Sequence, residues 1–530
     1  MDSLPLTAEL LPELAEAVDP GTTPLWTALR RVRMPLWCTL EGDLSSPNGT
    51  SDLAYVPALP LSELGDPAFR SDHGLDYACV AGAMANGIAS VDLVEAMGRA
   101  GMVGFFGAAG LDLASVGRAV RELKSRLGER AFGMNLIHSP SEPNLEAAVA
   151  DLYLREHVTL VEASAFLDLT LPLVRYRLAG IRELPDGTIA TPHRVVAKVS
   201  RVEVAAKFMA PAPAGLVQEL VRRGDLTPAQ ARLAERVPVA QDLTAEADSA
   251  GHTDNRPALT LLPTMLALRD RMQARFDYAQ PLRVGAAGGI ATPAASAAAL
   301  AMGAAYIVTG SVNQACRESG TSDAVRQMLA QAEQADTMMA PAADMFEMGV
   351  KVQVLKRGTM FPMRAAKLYE LYRAYPSLEA LPASEREHLE KSIFRTSFAE
   401  VWEQCQAYFS QRDAEQLELA ARDPKHRMAL VFRWYLGQSS RWANQGVADR
   451  RLDYQVWCGP AMGAFNEWTR DTFLAEPAER KVAVVAMNLL FGAALSQRLH
   501  WLRSQRVRLP HEPRWNAPLP LAVLREWAAL

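Results

Sequence analysis

The chain has 530 residues, 49% of them hydrophobic, so it is too long for one typical core and apolar enough for more than one. Its formal net charge of −5 gives no electrostatic basis for sequence-independent binding to nucleic acid. Five scattered cysteines, odd in number and without metal-ligand spacing, predict neither a disulfide framework nor a metal site.

The first 20 residues carry acidic residues where a secretory signal carries basic ones, and their apolar positions are spaced as in an amphipathic helix. The longest stretch of small apolar residues, 291–308, contains Pro293 and Gly303, so a helix, a turn and a strand explain it better than a membrane span. We therefore expect a cytoplasmic protein without a membrane partner.

From about residue 75 to residue 345, short apolar runs alternate with longer helical patterns, which is typical of parallel βα units. Eight such units favour a closed barrel over an open sheet. The predicted strands are residues 77–82, 102–106, 132–137, 158–163, 194–199, 237–241, 282–287 and 304–310.

Helical patterns at residues 90–100, 113–127, 144–156 and 259–273 connect these strands, and residues 210–236 form a predicted helical insertion. After about residue 340 no strand alternation is apparent, and two capping boxes, Ser384 with Glu387 and Ser397 with Glu400, predict helix starts. The predicted fold class is α/β, a (β/α)₈ TIM barrel with an added α-helical domain. Its predicted parts are an N-terminal extension (1–60), the barrel (61–345) and the helical domain (346–530).

Two predicted strands end in glycines that suit a phosphate. The seventh strand runs into Gly288 and Gly289, and the Thr292-Pro293 pair that follows is a favourable helix start, with backbone N–H groups directed back at the loop. The eighth strand ends in Gly310 and Ser311, just before another helical turn. Barrels build phosphate sites from the loops after strands seven and eight. Tight turns are the alternative role of these glycines, and finding two such ends in adjacent units favours the phosphate site.

The segment 245–257 places His252, preceded by Gly251, on a polar loop after the sixth strand, at the end of the barrel where chemistry occurs. His252 could donate a proton or a hydrogen bond, although a single histidine is more often structural. His138, beside the third strand, is a second candidate by the same reasoning.

Other residues at strand ends could contact a flat heterocycle. Asn135 on the third strand can both donate and accept hydrogen bonds, and Lys198 on the fifth strand needs an anionic or electron-rich partner if buried. Gly82 and Met84, after the first strand, let a ring approach the backbone. Satisfied polar groups of the core are the alternative interpretation of Asn135 and Lys198.

The segment 345–367 is rich in basic residues at the predicted junction between barrel and helical domain. These side chains could grip a phosphate-bearing carrier arm or an acidic carrier protein, although a solvated helix face is the commoner meaning of such a pattern. They are Lys351, Lys356, Arg357, Arg364 and Lys367.

Together these motifs resemble a known superfamily. GAAGGIATP, VTGSVNQ, FGMNLIHSP and EADSAGHTDNRP are similar to motifs of the flavin mononucleotide (FMN) dependent nitronate monooxygenase and enoyl reductase barrels. The runs ADMFEMGVKVQVLKRGTMFPMRAAKLYELYRAY, MALVFRWYLGQSSRWAN and DYQVWCGPAMGAFNEW more specifically resemble the PfaD type, the trans-acting enoyl reductases of polyketide and polyunsaturated fatty acid synthases. The resemblance covers about residues 35–505.

The resemblance implies that FMN binds at the carboxyl-end mouth of the barrel. Its phosphate would lie on the glycine turns and on Ser311. Its ring would lie near Gly82, Met84, Asn135 and Lys198, and the Gly251-His252 pair would lie close to the flavin. NADPH, or alternatively NADH, would supply a hydride through FMN to an α,β-unsaturated thioester on an acyl carrier protein, with His252 supplying a proton or stabilising the thioester oxygen. The helical domain would receive the substrate or the carrier protein.

Two other functions remain at this stage, together with an open question of whether the protein is a homodimer. A nitronate-type flavin oxygenase would use the same barrel, and a non-catalytic barrel could scaffold carrier proteins within a synthase. One departure from the enoyl reductase pattern is Ala250, where a glycine is usual, which adds only a methyl group.

Overall fold

The computed structural model describes residues 24–48, 52–138 and 143–528. Eight parallel strands close into a barrel in which each strand pairs with its neighbour in the chain and the eighth pairs with the first. The predicted fold class is therefore confirmed. The strands are β1 (Cys79–Ala81), β2 (Val103–Phe106), β3 (Gly133–Ile137), β4 (Leu160–Ser164), β5 (Arg194–Val199), β6 (Asp242–Glu246), β7 (Arg283–Ala287) and β8 (Ile307–Thr309).

Helices on the outside of the barrel connect the strands, and all four helices predicted between strands are present. Two further helices, Ala214–Arg223 and Pro228–Ala234, lie between β5 and β6 within the range predicted as an insertion. The barrel helices are α1 (Val91–Arg99), α2 (Leu113–Leu127), α3 (Pro143–Arg155), α4 (Leu171–Leu178), α5 (Val202–Met209), α6 (Ala258–Phe276), α7 (Pro293–Ala301) and α8 (Asp323–Ala330).

The prediction of the sixth strand at 237–241 is wrong, because β6 is the next five residues, Asp242–Glu246. The apolar run instead packs against the end of α5, where the Val239 and Ala240 N–H groups donate to the Ala210 and Phe208 carbonyls. The true strand does not appear as an apolar run, because polar side chains alternate along it. These side chains are nevertheless buried inside the barrel, with Asp242 3% and Thr244 0% exposed.

The prediction that no strand follows residue 340 is also wrong. Thr337–Pro341 pairs antiparallel with Lys351–Leu355, and Lys351–Leu355 pairs with Gly251–His252, giving a three-stranded sheet. Both faces of Lys351–Leu355 are covered, with Val352, Gln353 and Val354 all buried, so the expected alternation of exposed and buried residues is lost. This sheet connects the loop after β6 to the helical part of the chain.

One of the two predicted capping boxes is correct. Ser397 accepts from the Glu400 N–H and Glu400 accepts from the Ser397 N–H, as predicted. Ser384 instead lies inside a helix that begins after Pro382, so it caps nothing. The helices of this region are α9 (Phe361–Ala374), α10 (Ala383–His388), α11 (Phe398–Arg412), α12 (Glu415–Arg422), α13 (Pro424–Gln445), α14 (Ala461–Thr469), α15 (Val482–Ser504) and α16 (Leu521–Ala528), with a π-helical turn at Leu389–Phe394.

The predicted helical domain is divided between two hydrophobic cores. Most buried hydrophobic residues from 340 to 436 form one core of their own, whereas those of α14, α15 and α16 share the core of the barrel. Helix α15 lies along α7, and a Cβ on Gly492 would lie 2.5 Å from Pro293, so only glycine permits this approach. By length and composition α15 could cross a membrane, but 83% of its most apolar window is buried within the protein, as in the core helix of a soluble protein.

The N-terminal extension packs on this later part of the chain. Its helix Pro24–Arg30 is followed by a small antiparallel sheet of Leu36–Thr39, Leu44–Ser45 and Leu53–Val56. The buried Arg498 guanidinium on α15 donates to the Arg31 and Met34 carbonyls at 2.9 Å. These contacts pair residues that are more than 460 positions apart in sequence.

A buried ionic network closes the amino end of the barrel. The Asp242 carboxylate contacts His73 Nε2 at 2.8 Å and Arg283 Nε at 2.6 Å, and Arg283 also reaches Asp72 at 2.7 Å. Burial alone would raise the pKa of Asp242, but His73 and Arg283 outweigh burial and hold that pKa at about 2. The network lies at the end opposite the mouth, where side chains serve stability.

We expect Asp242→Asn to lower the free energy of unfolding by about 3–5 kcal/mol, because it leaves the buried Arg283 charge poorly compensated. Since the pKa of Asp242 is lower in the folded than in the unfolded state, its stabilisation is present above about pH 4 and is lost as the pH falls towards about 2. Denaturant titrations at several pH values measure both effects. Asp72→Asn, at a partly exposed partner of the same arginine, should cost about 1 kcal/mol or less, and equal losses would contradict the assignment.

Candidate active site

The glycine turns and His252 lie at the same end of the barrel. Gly288 and Gly289 follow β7, Gly310 and Ser311 follow β8, and His252 follows β6, so all five residues stand at the carboxyl ends of adjacent strands. The loops that the sequence predicted at one end of the barrel therefore lie together at that end.

The two glycine turns are open. Gly288 and Gly289 have φ values of +82° and +78°, which disfavour other residues, and a Cβ on Gly288 would lie 2.6 Å from the Ala247 backbone. At Gly289 and Gly310, by contrast, no heavy atom of the described residues, apart from the immediate chain neighbours, lies within 4 Å of a Cβ position. Thr292 caps α7 by accepting from the Ala295 N–H at 3.2 Å. The turns therefore form an unobstructed cradle beside a capped helix N-terminus.

Ser311 is connected to a loop that sequence reasoning did not select. Its hydroxyl oxygen accepts from the Gly459 N–H at 3.2 Å, which leaves the hydroxyl proton available to a ligand. A Cβ on Gly459 would lie 3.0 Å from the Ala250 nitrogen, so this loop sits tightly between Ser311 and the loop that carries His252. The sequence signal for this loop was its CGP sequence, which lies within the family motif DYQVWCGPAMGAFNEW.

A charged cluster lies inside the mouth. Lys198 Nζ on β5 is 3.7 Å from Glu162 Oε2 on β4 and 3.5 Å from Glu246 Oε1 on β6. Burial would lower the pKa of Lys198, but the two carboxylates outweigh burial and raise it, so the lysine is charged. Lys198 was predicted from the sequence but the two glutamates were not, although a glutamate within the apolar run VTLVEA is a usable signal.

Glu162 is the most buried member of this cluster. Its Oε2 accepts from the Ala83 N–H at 3.1 Å, whereas its buried Oε1 has no hydrogen-bond partner among the described residues. Burial raises the pKa of Glu162 despite the opposing charge of Lys198. An unpartnered buried carboxylate oxygen in a site of this kind suggests a ligand that the site is built to contact.

Two of the other predicted residues, Asn135 and Gly82, lie beside Glu162. Asn135 donates both amide protons, to the Glu162 carbonyl and to Ser164 Oγ at 3.1 Å each, leaving its oxygen as an acceptor. A Cβ on Gly82 would lie 3.6 Å from Glu162 Oε1 and 3.0 Å from Val308, so any side chain here would press on Val308. Met84, two residues on in the same turn, packs partly buried against the barrel core.

His252 is held by the three-stranded sheet, opposite Val352. Its Nε2 atom is shielded from solvent and lies 3.2 Å from Asp344 Oδ1, at ion-pair distance but without the alignment of a good hydrogen bond. Burial lowers the pKa of His252, but Asp344 and Glu246 outweigh burial and Lys198, so that the pKa is raised. The imidazole is thus disposed to carry a proton.

The second histidine candidate is differently placed. His138 Nδ1 lies 2.7 Å from the buried Glu146 carboxylate, and its ring stacks on Phe166 with centroids 5.3 Å apart. His138 thus already has a carboxylate and an aromatic partner beside β3.

Three of the five basic side chains in the segment 345–367 pair with carboxylates of this chain. Arg364 pairs with the buried Asp453, Lys367 lies 3.1 Å from Glu385, and Arg357 lies 3.1 Å from Asp336. These cations are therefore engaged within the protein, whereas Lys351 and Lys356 are exposed. The segment is also not one solvated helix face, since it begins with the strand Lys351–Leu355.

Comparison with known proteins defines the class of this barrel. Residues 71–374 match the nitronate monooxygenase family, and residues 375–454 match the inserted helical domain of [acyl-carrier-protein] S-malonyltransferase. The first match covers more than half of the chain and includes the whole barrel. The chain belongs to the nitronate monooxygenase family.

Within this family the chain is of the PfaD type, as its motifs predicted. It is 38% identical to the enoyl reductase domain of MlnA from the macrolactin cluster of Bacillus amyloliquefaciens, with a TM-score of 0.79 over 83% of this chain and 100% of that one. It is 48% identical to a polyunsaturated fatty acid synthase protein of a Thraustochytrium species over 91% of this chain. It is 44% identical to polyketide biosynthesis protein PksE of Bacillus subtilis over 82% of this chain. The chain spans 33% of the Thraustochytrium protein and 57% of PksE.

Proposed function

We propose that this protein is an FMN-dependent, trans-acting enoyl reductase that uses NADPH to saturate the α,β-double bond of an enoyl thioester on an acyl carrier protein. The observation that carries the proposal is the open pair of glycine turns at the same barrel mouth as His252. The similarity to synthase proteins and to an enoyl reductase domain supports the choice of reaction.

The residues at the mouth fit FMN. The open space at Gly289 and Gly310, the N-terminus of α7 and the Ser311 hydroxyl suit a phosphate, which helix N-termini attract. The Asn135 oxygen and the unpartnered Glu162 Oε1 can accept hydrogen bonds from a heterocycle, and the Lys198 ammonium can donate one. When bound, FMN would supply the hydride chemistry between the nicotinamide and the enoyl β-carbon.

The protein's own side chains then have distinct tasks. Gly82 keeps the wall beside Glu162 thin enough for a ring to lie against it, and the carboxylates on either side of Lys198 hold its ammonium in place. His252, whose pKa is raised, holds the proton that the substrate's α-carbon must receive. The proposal includes a cytoplasmic location, consistent with five buried cysteines that form no disulfide.

Mass spectrometry of a loaded carrier protein tests this function directly. After incubation of the protein and FMN with a crotonyl-loaded acyl carrier protein and NADPH, we expect the acyl group to gain two hydrogen atoms, with or without oxygen present. An unchanged crotonyl group, together with oxygen-dependent turnover of a nitronate, would identify a flavin oxygenase instead. A colourless protein that binds carrier protein but no flavin would identify a scaffold.

A further inference from the structure

The partner of His252 comes from outside the barrel. Asp344 lies in the loop between the strands Thr337–Pro341 and Lys351–Leu355, and its Oδ1 is 3.2 Å from His252 Nε2. The Nε2 atom is shielded from solvent and has no well-aligned hydrogen bond to any residue in the described part of the chain, so the Asp344 carboxylate at ion-pair distance is the partner it has. Because Nε2 faces Asp344, Nδ1 is the ring nitrogen left to meet a substrate.

The charges around His252 favour its protonated form. Asp344 faces it from the hairpin loop and Glu246 from β6, both favouring the imidazolium, whereas Lys198 on β5 and burial oppose it. Asp344 itself stays ionised, since His252 and, more weakly, Arg433 on α13 outweigh the effect of burial and lower its pKa. The geometry therefore places an ionised carboxylate beside an imidazole whose protonated form is favoured.

The loop that carries Asp344 is anchored to the helical part of the chain. Glu347, three residues further on, lies 3.2 Å from Arg433 of α13, and Phe346 between them is fully buried among aromatic residues of that region. His426 Nδ1 lies within 3.9 Å of the same Glu347 carboxylate. The position of Asp344 is thus set by packing outside the barrel.

We propose that Asp344 is a positioning residue that fixes Nε2 of His252 and keeps the ring protonated, so that Nδ1 delivers the proton of the reduction. This inference rests on the proposed function. The proton leaves Nδ1 for the α-carbon, the imidazole becomes neutral, and water returns a proton before the next turnover, while the hydride comes from NADPH. The helical region thereby contributes to catalysis through the barrel histidine without touching the substrate.

The pH dependence of kcat/KM for enoyl thioester reduction tests the pairing. Activity that needs the imidazolium falls as the pH rises through the pKa of His252, and this fall is the basic limb of the pH profile. In Asp344→Asn we expect this basic limb to move down by about one pH unit, and in Asp344→Glu to return towards the wild-type position. Glu333→Gln is the matched control, because this exposed carboxylate near the base of the same hairpin lies 3.2 Å from Arg357 and takes no part in anchoring Asp344, so its loss should leave the limb in place. Superimposable profiles for wild type and Asp344→Asn would overturn the proposal.

A second measurement separates this proposal from the proposed function. The His252 imidazole can be titrated by NMR in histidine-labelled protein, with its signal identified by its absence in His252→Gln. We expect the titration midpoint to move down in Asp344→Asn and to stay unchanged in Glu333→Gln, whether or not an enoyl thioester is turned over. Failure of the wild type to reduce the thioester would refute the reductase function alone, and an unmoved midpoint would refute the pairing alone.

Discussion

Replacing Gly310 with leucine is expected to weaken FMN binding by about a hundredfold or more. No atom of the described residues, apart from the chain neighbours, lies within 4 Å of a Cβ placed here, and the φ of −135° lies outside the left-handed region that favours glycine. The side chain should therefore be accommodated by the fold but occupy the cradle proposed for the phosphate. Losing two charge-assisted hydrogen bonds to a phosphate accounts for the magnitude.

Titration of apoprotein with FMN, followed by flavin fluorescence, measures this effect. Gly215→Leu is the matched control, because Gly215 is also surrounded by open space but lies in the insertion helix Ala214–Arg223. Circular dichroism of both variants should match the wild type. Wild-type affinity in a folded Gly310→Leu protein would mean that the phosphate lies elsewhere, and the proposed cofactor site would fail with it.

Replacing His252 with alanine is expected to lower kcat for enoyl thioester reduction by about 10²–10⁴-fold, the usual contribution of a general acid. The side chain is partly exposed and is paired with Asp344 on the hairpin loop, so its loss should leave both the fold and the affinity for FMN intact. Stopped-flow measurements can separate flavin reduction by NADPH, which should persist, from reoxidation by the enoyl thioester, which should slow.

His193→Ala is the control for removing a histidine. His193 is half-buried and precedes β5 at the opposite end of the barrel, where its Nδ1 lies 2.9 Å from the Ala179 carbonyl. We expect its kcat to stay near the wild-type value. A His252→Ala protein with unchanged reoxidation would show that another group, or water, supplies the proton.

Local signals were sufficient to predict much of the barrel and part of the mouth. Seven of the eight strands were predicted where they occur, because buried parallel strands are continuous apolar runs flanked by helical periodicity. The glycine turns and the Gly251-His252 pair were found because each is a short motif at a strand end. The exception, β6, carries Asp242 and Thr244 into the barrel interior, and its partners His73, Arg283 and Tyr306 are far away in sequence.

The electrostatic part of the site could not be predicted in the same way. Lys198 was selected, but its pairing with Glu162 and Glu246 depends on the closure of three neighbouring strands. Asp344 is 92 residues from His252 and reaches it through a hairpin whose alternation was hidden by burial on both faces. The family resemblance led to the proposals of FMN and of the reaction, but it assigned no partner to the histidine.

The packing of α15 on α7 has a consequence for the order in which this protein can be completed on the ribosome. Helix α7 presents its N-terminus to the Gly288-Gly289 turn, yet its outer side is covered by Gly492 and its neighbours, almost two hundred positions later in the chain. During synthesis the outer side of α7 therefore stays uncovered until α15 has emerged from the ribosome. A chain interrupted before α15 would expose that apolar flank, and we expect such fragments to need chaperones or to aggregate.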